Sequence, residues 1–131
     1  MPKIRVLRTG DAPLEFDGEI LADVGGKLFR GKERNRWHEF TLYRAGDKLV
    51  LSIRYRTQWE GEAEWAEVHI CASNDEVLAV LRGFDPAEKL QGYPPHEAFA
   101  AKQARLIEDL RATCENLISD LMEAANIVET L

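Results

Sequence analysis

The chain has 131 residues, 45% of them apolar and 31% charged, with a net charge of −6 at neutral pH; this is the size and composition of one globular domain. No apolar run approaches the ~18 residues of a membrane span, and no charged-then-apolar leader opens the chain, so a cytoplasmic location with no membrane partner is expected. Overall acidity argues against a wholly nonspecific nucleic-acid binder, but charge is uneven: residues 1–57 hold 12 Lys and Arg against 8 Asp and Glu, and residues 58–131 hold 5 against 15. Such asymmetry points either to partners of opposite sign or to packing of an acidic tail on a basic body.

In chain order, KIRVLR (3–8) has strand composition, and Gly10-Asp11-Ala12-Pro13 ends it. Leu14–Phe16 and Ile20–Val24 flank Asp17-Gly18, a strong two-residue hairpin signal, although that loop sets Phe16 against Glu19. After Gly25-Gly26 comes a basic stretch with Lys27, Arg30, Lys32, Arg34 and Arg36, read as an exposed loop or a hairpin extension around Gly31-Lys32.

Arg36–Thr57 is the most informative stretch. Both arms alternate apolar and polar residues, the strand period. A two-residue loop at Gly46-Asp47 pairs Leu42 with Leu51, Phe40 with Ile53 and His38 with Tyr55, which puts the apolar set on one face. A three-residue loop would mix both faces, because a one-residue slip inverts every side chain. The opposite face then carries Trp37 with Arg56, Glu39 with Arg54, Thr41 with Ser52 and Tyr43 with Val50. Gln58–Glu62 is a connection, and Ala63–Cys71 alternates again. Ala66, Val68 and Ile70 are assigned to the inner face, and Trp65, Glu67 and His69 to the outer one. The result is an antiparallel meander of four to five strands.

Ser73 followed by Glu76 is a capping box opening a helix with Val77, Leu78, Val80 and Leu81 on its apolar side and Gly83 at its stop. Asp85-Pro86-Ala87-Glu88 starts a second, short helix. From His96 to Leu131 there is neither Gly nor Pro in 36 residues, so one long helix is expected. Its apolar positions step by 4, 3, 4 and 3 from Leu117, as in a heptad seam. Straight, it would span roughly 54 Å against a body about 30 Å across. A homodimer through Leu110, Leu117, Leu121, Ala124 and Val128 is therefore expected; the competing reading breaks the helix near Thr113–Asn116 and folds it back. The organisation is thus α+β: a sheet-plus-helix domain over 1–92, then a C-terminal helix over 93–131.

No catalytic signature is present. His69 and Cys71 share a face, but no third group orients them. His38, His69 and His96 have no ligand spacing for metal, and no glycine-rich phosphate loop exists, so no metal or cofactor is expected. Glu60, Glu62 and Glu64 alternate along an extended segment and read as a solvated edge. The surface of interest is the outer sheet face, with Trp37, Tyr43, Arg54, Arg56, Trp65 and His69. These residues read first as covered by another element or by a partner copy, next as a protein contact, and third as a stacking platform for single-stranded nucleic acid. Glu108, Asp109, Glu115, Asp120, Glu123 and Glu129 form the acidic side of the tail helix.

The pattern DGE-IL-A-V (17–24), RW-EF-LYR (36–44), a Gly turn, an Arg-bearing strand, W-GE (59–62) and D-EVLAVL (75–81) resembles small bacterial and mobile-element proteins over about half the chain. The resemblance brings no activity onto these residues; it implies an accessory role in a phage, plasmid or defence setting. The expected function is a non-enzymatic interaction protein, dimeric through its tail and bound to a macromolecular partner. The alternatives are a single-stranded nucleic-acid module and an enzyme with a site at a dimer interface.

Overall fold

The computed structural model describes residues 2–128. Its centre is the Arg36–Thr57 hairpin, β6 (Arg36–Ala45) and β7 (Lys48–Thr57), in the expected register throughout, from Arg36 opposite Thr57 to Ala45 opposite Lys48. Gly46 alone of the two loop residues has positive φ, which fits the II′ turn whose twist matches paired strands. The sheet is completed by β3 (Glu19–Gly25) beside β6 and β8 (Trp65–Cys71) beside β7, in the order β3-β6-β7-β8.

Asp17-Gly18 does not close a hairpin. β2 (Leu14–Asp17) pairs with β1 (Lys3–Val6), while β3 pairs with β6. Gly18 instead lets the chain pass close over β6, where a Cβ would strike the Arg44 carbonyl. The Phe16–Glu19 mismatch was the sign that these strands do not belong to one another. The basic stretch forms a small hairpin, β4 (Leu28–Phe29) and β5 (Lys32–Glu33), turning at Arg30-Gly31.

α1 (Asn74–Gly83) begins as read: the Ser73 hydroxyl accepts from the Glu76 amide, while the Glu76 carboxylate reaches one residue further back, to the Ala72 amide. Asp85–Leu90 makes successive three-residue turns in place of a helix. The tail is a 3-10 turn (Glu97–Phe99) followed by α2 (Ala100–Ala124). α2 ends in a Schellman turn. Asn126 has φ of 54°, its amide donates to the Glu123 carbonyl, and the Ile127 amide donates back to Met122. Ile127 thereby re-enters the core.

Both helices cover one side of the sheet, α2 over β3 and β6 and α1 over β7 and β8. The core joins Phe40, Leu42, Leu51 and Ile53 to Val77, Leu78 and Leu81 of α1 and to Cys114, Leu117 and Leu121 of α2. Each such side chain contributes about 1.5–3 kcal/mol by burial. The core therefore crosses the division expected at residue 92. Leu110, Leu117 and Leu121 of the expected seam are buried within the one chain, while Ala124 and Val128 are exposed. Before Leu110 no α2 side chain is fully buried, and Gln103, Leu106 and Ile107 are half-buried. Leu131 and Glu129 lie outside the described residues.

The charge asymmetry is used internally. Arg34 pairs with Asp109 at 2.7 Å and Arg30 with Asp120 at 3.8 Å, so the small basic hairpin is tied to the acidic side of α2. Among the described residues, no helix is long and apolar enough to cross a membrane.

Candidate partner-binding site

The expected outer surface is not assembled as read. β8 sits one residue out of the assigned phase. Tyr55 opposes Trp65 and Leu51 opposes His69, so Trp65, Glu67, His69 and Cys71 lie on the helix-covered face; Ala66, Val68 and Ile70 lie outside with Arg54 and Ser52. Alternation in AEWAEVHIC is equally satisfied by either phase, because both rows contain bulky residues. The choice falls to Trp65, which packs beside Tyr55, His38 and Phe84.

The other four residues do share the outer face, but neighbours engage them. The Trp37 indole donates to Glu39 at 3.0 Å. Arg56 reaches Glu64 at 3.1 Å and Glu39 at 3.6 Å. The Thr57 amide, then Arg56, hold the Glu64 carboxyl below its usual range. Phe16 of β2 sets its edge on Tyr43, ring centroids 5.4 Å apart. β1 and its continuation dock alongside: the Thr9 amide donates to the Ala66 carbonyl, and the Ala66 amide donates to the Thr9 hydroxyl. Val6, Val50, Ser52 and Ala66 are buried there. What stays open is a cleft of about 290 Å³ in which Arg54 faces Asp23, Glu39, Thr41 and Tyr43. With Trp65 and His69 on the other side, this outer face carries no continuous row of aromatic rings among the described residues.

In the His69–Cys71 pair the thiol is withdrawn from solvent. Cys71 is buried and unpaired, and burial raises its pKa; Cys114, in the same core, is pushed up to about 12 by burial. His38 is buried among Phe40, Tyr55, Trp65 and Phe84, with no hydrogen-bond partner for either ring nitrogen among the described residues. Desolvation lowers its pKa to about 4, so it is neutral at pH 7. No group of three or more potential metal ligands converges among the described residues.

A more developed site lies at the end of the inner face, against the first turn of α2. Arg36, first residue of β6, donates from its Nε to both Glu62 carboxylate oxygens, at 2.9 and 3.1 Å. The pair is nearly dry, with side chains 11% and 4% exposed. The Tyr55 hydroxyl also donates to Glu62; burial first, and then this hydrogen bond, raise the Tyr55 pKa well beyond its ordinary range. Arg36 is itself stacked between two rings, its guanidinium carbon 5.6 Å from the Trp59 centroid and 5.2 Å from that of Tyr93. Tyr93 in turn stacks on Phe99, 5.9 Å and 12° apart. Rings alternating with one neutralised cation thus form a row, Trp59–Arg36–Tyr93–Phe99.

The loops that carry this row are stapled. The Ala63 amide donates to Gln91, and the Tyr93 amide donates to Gln103 of α2 at 2.9 Å. Gly92 takes φ of 62° at a point where a Cβ would run into the Gln103 amide. Two apolar hollows open on either side of Tyr93-Pro94, one of about 370 Å³ floored by Arg36 and Trp59 and one of about 490 Å³ beside Phe99. Trp59 is 49% exposed, a large ring held out to solvent. In the sequence 58–62 reads as a connection and Glu62 as part of a solvated edge, but the Glu62 side chain is buried against Arg36. The available signal was a Trp and two glutamates in a loop next to an Arg-led strand, which is weak without the Gln91–Gln103 segment that folds against it.

No protein-family model, curated protein or solved structure matches the chain.

Proposed function

We propose that the protein is a non-enzymatic interaction module that binds an extended, proline-bearing segment of a protein partner along the Trp59–Arg36–Tyr93–Phe99 row. The observation that carries this reading is the pair of apolar hollows that share a Tyr93-Pro94 wall and are lined by Trp59 on one side and Phe99 on the other. Extended polyproline-type segments are recognised by successive aromatic-lined hollows, because such a ligand arrives already ordered and loses little entropy. Glu60 and Glu97 border the hollows, while Arg36 is neutralised by Glu62, so a ligand with a flanking Lys or Arg fits the charge. A Trp, Tyr and Arg cluster set on stapled loops also matches the composition of binding hot spots. The resemblance to mobile-element proteins concerns the setting and not the partner.

A peptide array tests this reading, followed by fluorescence anisotropy on the hits. Binding should concentrate in peptides with proline beside a basic residue. Trp59→Ala should weaken it at least tenfold while changing unfolding stability by less than about 1 kcal/mol, as for an exposed side chain. Binding indifferent to Trp59, or no preference for proline, would overturn the reading.

A further inference from the structure

A separate cleft of about 330 Å³ opens between β8 and α1, and it shares no lining residue with the hollows at the sheet end. Its apolar part is formed by Ala79 and Val80 of α1 and by two aromatic rings, Trp65 and Phe84, with centroids 6.1 Å apart. Glu67 and Glu88 supply carboxylates. His69 fixes Glu67 through a 2.7 Å contact. The Lys89 ammonium lies over the Trp65 ring, 5.3 Å from its centroid. Lys89 is on an exposed turn and makes no ion pair among the described residues, so the ring contact is its one specific interaction.

A ring face is the negative end of an aromatic quadrupole and attracts a cation most strongly where water is excluded. Carboxylates beside two rings add charge of the same sign. The cleft therefore combines two ring faces with carboxylates, and the chain's own Lys89 lies over one of the rings. The hold on that lysine is slight, since its long side chain loses rotamer freedom when fixed there.

We propose that this cleft binds an alkylammonium cation, either a free quaternary amine or a methylated lysine of a partner, and that Lys89 acts as a tethered occupant that such a ligand displaces. A quaternary ammonium suits the site better than Lys89 does. It gives up less hydration than a primary ammonium, and it brings methyl groups against Trp65 and Phe84.

The test is nitrogen–proton correlation NMR on the full chain, following the Trp65 indole signal, assigned through Trp65→Phe. Choline chloride is titrated against sodium chloride at matched ionic strength. Its neutral isostere, 3,3-dimethyl-1-butanol, is titrated separately. Choline should shift the signal saturably and the isostere should not. Lys89→Ala should tighten choline binding about two- to five-fold, the strength of one exposed cation–ring contact. Glu88→Gln, an exposed change that leaves the fold intact, should weaken it. A trimethyllysine peptide run beside its unmodified counterpart separates the two ligand sources: tighter binding than choline assigns the site to a protein, and equal or weaker binding assigns it to a free amine. Equal response to choline and the isostere, or no response to choline in Lys89→Ala, would overturn the proposal.

Discussion

His38 gives the sharpest stability prediction. It is 1% exposed, lacks a partner for either ring nitrogen among the described residues, and has its pKa lowered to about 4 by desolvation. In the unfolded chain the same imidazole titrates near 6.5. Between these values the unfolded state binds the extra proton, so stability is full above pH 6.5 and falls as pH drops toward 4. The loss approaches ~1.4 kcal/mol per pH unit in mid-window and amounts to about 2 kcal/mol by pH 5. Urea unfolding at pH 7, 6 and 5, for wild type and His38→Phe, isolates this contribution, since other groups titrate in both proteins. The phenyl ring fits a site already walled by Phe40, Tyr55, Trp65 and Phe84. It also removes two polar atoms that are buried at a cost of about 1 kcal/mol or more. His38→Phe should therefore match or exceed wild type at pH 7 and lose about 2 kcal/mol less between pH 7 and pH 5. Parallel pH profiles for the two proteins would refute a neutral, unpaired His38.

Two further outcomes follow from the packing. Leu121→Ala, at a fully buried position in the shared core, should cost about 3–5 kcal/mol with a urea midpoint independent of protein concentration; a midpoint that rises with concentration would point to the helix-mediated homodimer. Glu62→Gln leaves the Arg36 guanidinium buried without its counter-charge and should cost about 3 kcal/mol in the same assay. Adding Arg36→Met should recover part of that loss, and a single-mutant cost under about 0.5 kcal/mol would show the pair to be solvated.

The central hairpin was fully legible because two cues agreed there: alternation in both arms, and a loop whose length sets the phase. β8 was not, since Ala66, Val68 and Ile70 on one side and Trp65, Glu67 and His69 on the other offer two acceptable rows, and no tight turn links β8 to β7 to fix the phase. The tail helix was legible in kind but not in partner. Its heptad-like steps describe any straight apolar stripe, whether it meets another helix or a sheet. Its end was missed because Asn126 does the work usually given to glycine. The candidate site joins Arg36 and Glu62 to Tyr93 and Phe99, residues far apart in the chain, and no local spacing encodes such a meeting.

The last helix roofs the first half of the sheet, and that has a temporal cost. β6 is complete at residue 45, yet α2, which seals β3 and β6, ends at residue 124. At ribosomal speeds the interval is about 4–16 seconds. Until α2 is made, the β3–β6 side of the sheet lacks its helix cover, a window in which a chaperone or a neighbouring nascent chain competes with the protein's own C-terminus.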